Sequence, residues 1–378
     1  MSASPEPFGC PGRELDEQIA PLVRTMAPDP TAIADVCGWD GALAAVLAER
    51  FPLASGLCAS HLVPCIDQAR RRLAGTGWEV TGSFGMPSDG AGKFDAAVLR
   101  APYWLGNKAV EALVGSACLA LEPGGALYLV GERKRGVRTF ARFLEARLSA
   151  CEHVLVRGAV RIYRATRTEA ALDPADIADT AERLADRFEV EAGGVTFFIA
   201  RHPAVFSDGR LDPATKLLIA ALPSGAARAL DLGCGAGAVA VAMALRSPES
   251  EVWAVDSNLA AVEACSRSLK LNGLSNIRAQ AAHLGEGLED GSFGLIACYP
   301  PFHVGPRVSH EVGEAMMREA ARLLGPEGSL YVVQSSAQRL EKLLESLFNA
   351  VSPVAAESGF RVLECRGPAP GSGRTADS

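Results

Sequence analysis

Residues 227–237 read Ala-Arg-Ala-Leu-Asp-Leu-Gly-Cys-Gly-Ala-Gly, and Ala-Val-Ala-Val-Ala-Met-Ala-Leu (238–245) follows. A short apolar run ends at Asp231. Glycines then alternate at Gly233, Gly235 and Gly237, and a run of helix-compatible residues begins. Glycine is needed where a chain turns sharply off a strand and where a ligand must approach the backbone closely. The N–H groups at the start of the helix have no partner within the helix and can face that ligand. Asp256 ends the next apolar run, where a carboxylate can accept hydrogen bonds from both hydroxyls of a ribose.

Downstream, apolar runs alternate with helical patterns. Strands are expected at 227–232, 251–256, 276–281, 293–298 and 329–334, and helices at 237–246, 258–271, 308–323 and 336–349. That alternation predicts an α/β domain, a parallel sheet with helices on both faces. Ligands of such sheets sit beyond the carboxyl ends of the strands. Gly233, Gly235 and Ala238 also satisfy the dinucleotide pattern G-x-G-x-x-G/A, with Asp256 as its acidic partner. This stretch therefore leaves NAD and S-adenosylmethionine (AdoMet) both open.

An internal echo extends the reading to the whole chain. Residues 121–130 read LEPGGALYLV and residues 324–333 read LGPEGSLYVV, identical at six of ten positions. FDAAVLRAPYW (94–104) precedes the first copy and FGLIACYPPF (293–302) the second. Aligning Asp35 with Asp231 puts Cys37 and Trp39 where Gly233 and Gly235 stand. The expectation is two tandem Rossmann-like domains, the first degenerate. Residues 1–167 form the first, 168–190 an acidic, alanine-rich linker, 191–366 the second, and 367–378 a disordered Gly/Pro/Ser tail.

The 378 residues carry a formal net charge of −7 and are 48% hydrophobic. No apolar run reaches the length of a membrane span. The N-terminal thirty residues lack a basic segment followed by an apolar one, so no secretory signal is expected. Ten scattered cysteines form no C-x-x-C pair, which argues against a zinc ribbon. They are read as reduced thiols of a cytoplasmic protein. Overall charge gives no support to nucleic-acid binding, but residues 131–167 hold ten Arg or Lys against three acids. Arg133, Lys134, Arg135 and Arg138 lead that segment and are candidates for RNA phosphates.

Tyr299-Pro300-Pro301-Phe302 ends the fourth strand of the second half. An exocyclic amine on a base is a poor nucleophile, because its lone pair is delocalised into the ring. A polar side chain and a backbone carbonyl can hold both N–H hydrogens and direct the lone pair. Proline fixes the backbone and brings no competing N–H, and an aromatic ring can stack on an extruded base. A dehydrogenase has no use for this arrangement, so AdoMet is preferred over NAD.

At these residues the chain resembles the ribosomal RNA guanine-N2 methyltransferases of the RsmC/RlmG type. HPAVFSDGRLDPATKLLIAAL (202–222), DLGCGAG and YPPFHVGPRVSHEVGEAMMREAARLL (299–324) carry the resemblance, and LEPGGALYLVGERKRGVRTF (121–140) is similar to that family's inactive N-terminal domain. The resemblance implies AdoMet held by Asp231, Gly233, Cys234, Gly235, Gly237, Asp256, Ser257 and His283, with Phe206 and Asp212 from the entry segment. It implies a target amine framed by Tyr299, Pro300, Pro301 and Phe302. The expected reaction is methylation of a guanine N2 in ribosomal RNA of the small subunit, by a monomer that needs no metal and no membrane. The family has Asn where this chain has Tyr299, and an acidic residue near the adenine where this chain offers His283 or Glu286. A non-catalytic RNA-binding protein with a vestigial AdoMet site, and an amino methyltransferase acting on another substrate, remain the alternatives.

Overall fold

The computed structural model describes residues 26, 29–168, 186–205, 209–301, 303–304, 307–308, 310–335 and 340–369. The chain divides after Leu184 into two compact units.

In the first unit β1 (Ala32–Asp35), β2 (Ser55–Ser60), β3 (Trp78–Gly82), β4 (Phe94–Arg100), β5 (Leu121–Glu132), β6 (Glu152–Arg157) and β7 (Val160–Thr166) form one sheet in the order β3-β2-β1-β4-β5-β7-β6. Helices α1 (Ala42–Arg50), α2 (Val63–Leu73), α3 (Asn107–Ala120) and α4 (Val137–Glu145) cover it. The second unit opens with a hairpin, β8 (Arg187–Ala192) and β9 (Val195–Ala200). Its large sheet comprises β10 (Arg228–Leu232), β11 (Glu251–Asp256), β12 (Ile277–Ala281), β13 (Phe293–Cys298), β16 (Leu324–Ser335), β17 (Phe348–Glu357) and β18 (Phe360–Pro368). The order is β12-β11-β10-β13-β16-β18-β17. A two-residue ladder, β14 (His303–Val304) with β15 (Arg307–Val308), stands apart. The helices are α5 (Pro213–Ala221), α6 (Ala238–Arg246), α7 (Leu259–Leu271), α8 (His310–Leu323) and α9 (Glu341–Leu347).

The two sheets share one topology and one register. Asp35 lies opposite Cys58 and Val98, and Asp231 lies opposite Ala254 and Ala297. The same slip recurs between Phe94 and Ala96 against β5 and between Phe293 and Leu295 against β16. Its cause is common to both copies. A Cβ on Gly125 would stand 2.9 Å from the Phe94 carbonyl oxygen, and one on Gly328 2.9 Å from that of Phe293. The repeat expected from the sequence is therefore a repeat of structure.

Several expectations need correction. Each sheet is mixed, because β7 in the first and β18 in the second run antiparallel to both their neighbours. β17 and β18 were not anticipated. β17 presents mostly exposed residues and contains Pro353, as an edge strand can, so it lacks the apolar pattern by which strands are recognised. Of the helix expected over 336–349, α9 covers 341–347, β17 takes 348–349 and 336–339 lie outside the described residues, and β16 begins at Leu324, five residues before the expected strand. β8 starts inside the expected linker, and β18 takes in the first residues of the expected tail. The rest of that linker and tail, 169–185 and 370–378, lies outside the described residues. Eight cysteines are free thiols. Cys65 departs from the expectation of ten reduced thiols, being disulfide-bonded; it lies in the first turn of α2. Among the described residues no helix is long and apolar enough to cross a membrane.

Candidate active site

The chain order of the second sheet reverses between β10, which pairs with both β11 and β13, and its neighbours. The carboxyl ends of these three strands therefore border the crevice where open α/β sheets bind ligands. The glycine loop leaves β10, Asp256 ends β11, and Tyr299-Pro300 leaves β13. The glycine loop, Asp256 and Tyr299-Pro300 are thus gathered at one edge of the sheet.

The loop is held from below. Gly233 and Cys234 both donate their N–H groups to the Val255 carbonyl, at 2.8 and 3.0 Å. Gly233, Gly235 and Gly237 have φ of 84°, 53° and 90°, which glycine adopts without strain. A Cβ on Gly233 would stand 2.9 Å from Met316 Cε, and one on Gly237 2.7 Å from Cys265 Sγ, whereas one on Gly235 would meet nothing within 4 Å. Gly233 and Gly237 are thus packed from beneath, while Gly235 leaves space at its exposed side.

Asp256 is oriented by its own neighbourhood. Its carboxylate accepts from Gly235 N at 2.9 Å and Asn258 N at 2.8 Å. The Ser257 backbone N–H also favours the charged form, but burial outweighs all three donors and raises the pKa. Asp231 is buried and accepts from Ala240 N at 3.0 Å. Burial pushes its carboxyl up to about 7, with the Asp256 charge adding to the rise and the Ala240 N–H opposing it. Cys234 is packed in the core beneath the loop with its thiol pushed far up. That placement suits a small packing side chain and not a nucleophile.

Tyr299 is half-buried, and burial, with Asp212 as the second cause, pushes its phenol up to about 12. Asp212 also caps α5, accepting from Ala214 N at 3.0 Å and Thr215 N at 3.2 Å. Pro300 is buried and Pro301 exposed. Phe206 and Phe302 lie outside the described residues. His283 is half-buried two residues beyond Ala281, the register partner of Asp256, and Glu286 is exposed. Arg322 holds this loop by donating to the Gly285 and Leu288 carbonyls, both at 3.1 Å, while paired with Glu319 at 2.6 Å.

Two positioning groups escaped the sequence reading. Asn258 accepts from Ala260 N at 3.0 Å, capping α7, and donates to the Ala204 carbonyl at 3.4 Å. It ties the 202–205 segment to the end of β11. Ser268, fully buried on α7, accepts from Ala200 N at 3.0 Å and lies 2.8 Å from the Ala236 carbonyl. It joins hairpin, helix and glycine loop. Asn258, after a strand-ending Asp, carries an N-cap signal. Ser268, inside a helical run, carries none.

The site fits a nucleoside cofactor: open space beside Gly235, a glycine loop leading into the first turn of α6, and a carboxylate fixed at the ribose position. Among the described residues no cluster of three or more His, Cys, Asp or Glu could hold a metal ion.

Fold and loop together define a class I, Rossmann-like methyltransferase, built twice in tandem. The profile of the methyltransferase small domain family matches residues 11–164 and 196–364, and the chain belongs to that family. It is 32% identical over 279 residues to the ribosomal RNA small subunit methyltransferase C of Pseudomonas entomophila, covering 71% of this chain and 78% of that protein. It is 28% identical to the protein of the same name from Aeromonas hydrophila, over 72% of this chain and 77% of that one. Among solved structures it is similar to the T. thermophilus 16S rRNA N2 G1207 methyltransferase (RsmC) in complex with AdoMet and guanosine. The TM-score is 0.79 at 26% identity, with 95% of this chain and 94% of that one covered.

Proposed function

We propose that this chain transfers the methyl group of AdoMet to the exocyclic N2 amine of a guanine in ribosomal RNA of the small subunit. The observation that carries the reading is the placement of the glycine loop at the end of β10, between β11, which ends in Asp256, and β13, which leads into Tyr299-Pro300. The relatives' names and the guanosine bound to the T. thermophilus protein support the same substrate.

AdoMet, when bound, supplies an electrophilic methyl on a sulfonium. This chain's residues do the rest by placement. Asp256 holds the ribose hydroxyls, and the N–H groups at the start of α6 face the cofactor. His283 lies at the adenine edge with Ser257 and Asp212 beside it, and Phe206, outside the described residues, is assigned to the cofactor by its place in the entry segment. The Tyr299 oxygen accepts one N–H of the target amine and the Pro300 carbonyl takes the other. The lone pair then points at the methyl, and Phe302 stacks on the base. Positioning supplies most of the rate gain, and the proton leaves to water after transfer.

Arg133, Lys134, Arg135 and Arg138, all exposed on the first unit, meet RNA phosphates. Several other basic residues of that segment are engaged within the protein. Arg147 pairs with Glu111 at 3.1 Å, Arg164 with Glu152 at 3.4 Å, and Arg161 donates to the Gly158 carbonyl at 2.7 Å. Arg135 of the leading four also pairs with Glu132, at 3.0 Å, and keeps its side chain 41% exposed; the RNA role is assigned to the four on their exposure and clustering. The protein acts as a cytoplasmic monomer.

The test is transfer of tritiated methyl from AdoMet to undermethylated small ribosomal subunits, followed by mapping of the product base. Wild type is expected to form N2-methylguanine. Transfer by Tyr299→Asn but not by wild type would make the natural chain a binder instead.

A further inference from the structure

Equal register lets the two domains be compared residue by residue. Trp39 stands where the second domain has Gly235, Ser60 where it has Asp256, and His61 where it has Ser257. Phe84 takes the place of His283, and Arg100-Ala101-Pro102-Tyr103 that of Tyr299-Pro300-Pro301-Phe302. The ribose carboxylate is gone, and rings occupy the positions of the loop, the adenine edge and the base slot.

These rings touch in sequence. Phe84 meets His61 at 5.4 Å between centroids, and His61 meets Trp39 at 5.4 Å. Trp39 meets Trp104 at 5.2 Å, and Trp104 meets Tyr103 at 5.0 Å. The Arg135 guanidinium lies over the Tyr103 ring, 4.3 Å from its centroid. Trp39 and His61 are buried, Tyr103 and Trp104 half-buried, and the Arg135 side chain is 41% exposed. The inner end of the row fills the crevice, and its outer end reaches the surface. Glu132, 3.0 Å from Arg135 Nε, fixes the guanidinium there. Arg133, Lys134 and Arg138 are exposed on the same and the following turn.

We infer that Tyr103, Trp104 and Arg135 form a stacking platform for an unpaired nucleobase of RNA, built from the first domain's former base slot. This rests on the RNA reading above and deepens it. A planar guanidinium held on an aromatic ring offers the surface on which splayed bases stack. The surrounding cations supply the attraction for the strand's phosphates. Charge complementarity and planarity together select single-stranded RNA.

The experiment measures binding of the full chain to a dye-labelled oligoribonucleotide and to the same strand with its bases removed. Wild type is expected to bind the base-bearing strand about tenfold more tightly, in line with the worth of one stacked base. Tyr103→Ala is expected to reduce that preference severalfold, leaving what the second domain's base slot contributes, and Tyr103→Phe to keep it. Arg135→Lys, a change at an exposed position that keeps the charge but not the plane, is expected to reduce the preference likewise and retain the salt dependence. Full preference in Tyr103→Ala and Arg135→Lys would overturn the platform, as would a wild type that does not distinguish the strands. Methyl transfer to subunits, run on the same preparations, separates the two readings. Transfer without base preference overturns the platform alone, and no transfer by wild type overturns the function on which it rests.

Discussion

The phenol of Tyr299 keeps its proton well past pH 10, because burial and the Asp212 carboxylate both disfavour the phenolate. The residue therefore offers one fixed hydrogen and lone pairs at every working pH. Methyl transfer is expected to show no inflection from this group between pH 8 and 10. Tyr299→Phe, which keeps the ring and loses the oxygen, should lower kcat roughly tenfold or more, about the value of one hydrogen bond made at the reacting group; steady-state kinetics on subunits checks it. Asp231 gives a second prediction. Its folded pKa of about 7 lies above its ordinary value of 3.8. Between these values the folded state holds a proton that the unfolded chain has released, so stability falls as pH rises through that window. Asp231→Asn should remove a slope of up to ~1.4 kcal/mol per pH unit, seen in thermal melts from pH 4 to 7. The residues that name the chemistry were legible because glycine alternation, a strand-ending Asp and a Pro-Pro pair are local signals. Ser268 was not, since its partners Ala200 and Ala236 lie 68 and 32 residues away. Ser268→Ala leaves the Ala200 N–H buried without its acceptor, and a loss of ~1–3 kcal/mol in denaturant melts is expected.

At the scale of elements, the alternating strands and helices of the second half could be read because each buried strand is apolar on both faces. β10, β11, β13 and the body of β16 all fell within a few residues of their expected positions. The hairpins β8–β9 and β17–β18 were missed for a physical reason. Each is stabilised by ladder hydrogen bonds and one-sided packing, and the exposed positions of β17 mix Asn349, Ser352 and Glu357 with Ala350, Pro353 and Val354, without the alternation of a half-buried strand. The slip shared by β4–β5 and β13–β16 yields a paired prediction. Gly125→Ala and Gly328→Ala drive a Cβ into a backbone carbonyl at the same point of each sheet. Each should cost ~1–3 kcal/mol, with Gly125→Ala affecting the first domain's unfolding and Gly328→Ala the second's, as hydrogen exchange by domain would reveal.

Over the whole molecule, the acidic balance conceals a division between the two copies of one architecture. A net charge of −7 gives no hint of RNA, yet four exposed cations cluster after β5 of the first domain. Reversing Arg133, Lys134 and Arg138 to Glu should weaken binding to ribosomal RNA and flatten the plot of log affinity against log salt, each lost phosphate contact removing roughly 0.7–0.9 from the slope. The copies also differ in what they can hold. Calorimetry is expected to find one AdoMet per chain, since Ser60 replaces the ribose carboxylate and Trp39 the central loop glycine.

Trp39 keeps the positive φ of the glycine position it occupies, at 47°, while its indole has become part of the packing. Restoring glycine there would open a void beneath His61 and Trp104 before any ligand could fill it. The first copy has thus passed an evolutionary ratchet: a reversion that once would have rebuilt a cofactor pocket now first hollows out a core, so this half of the duplication is free to diverge but not to return.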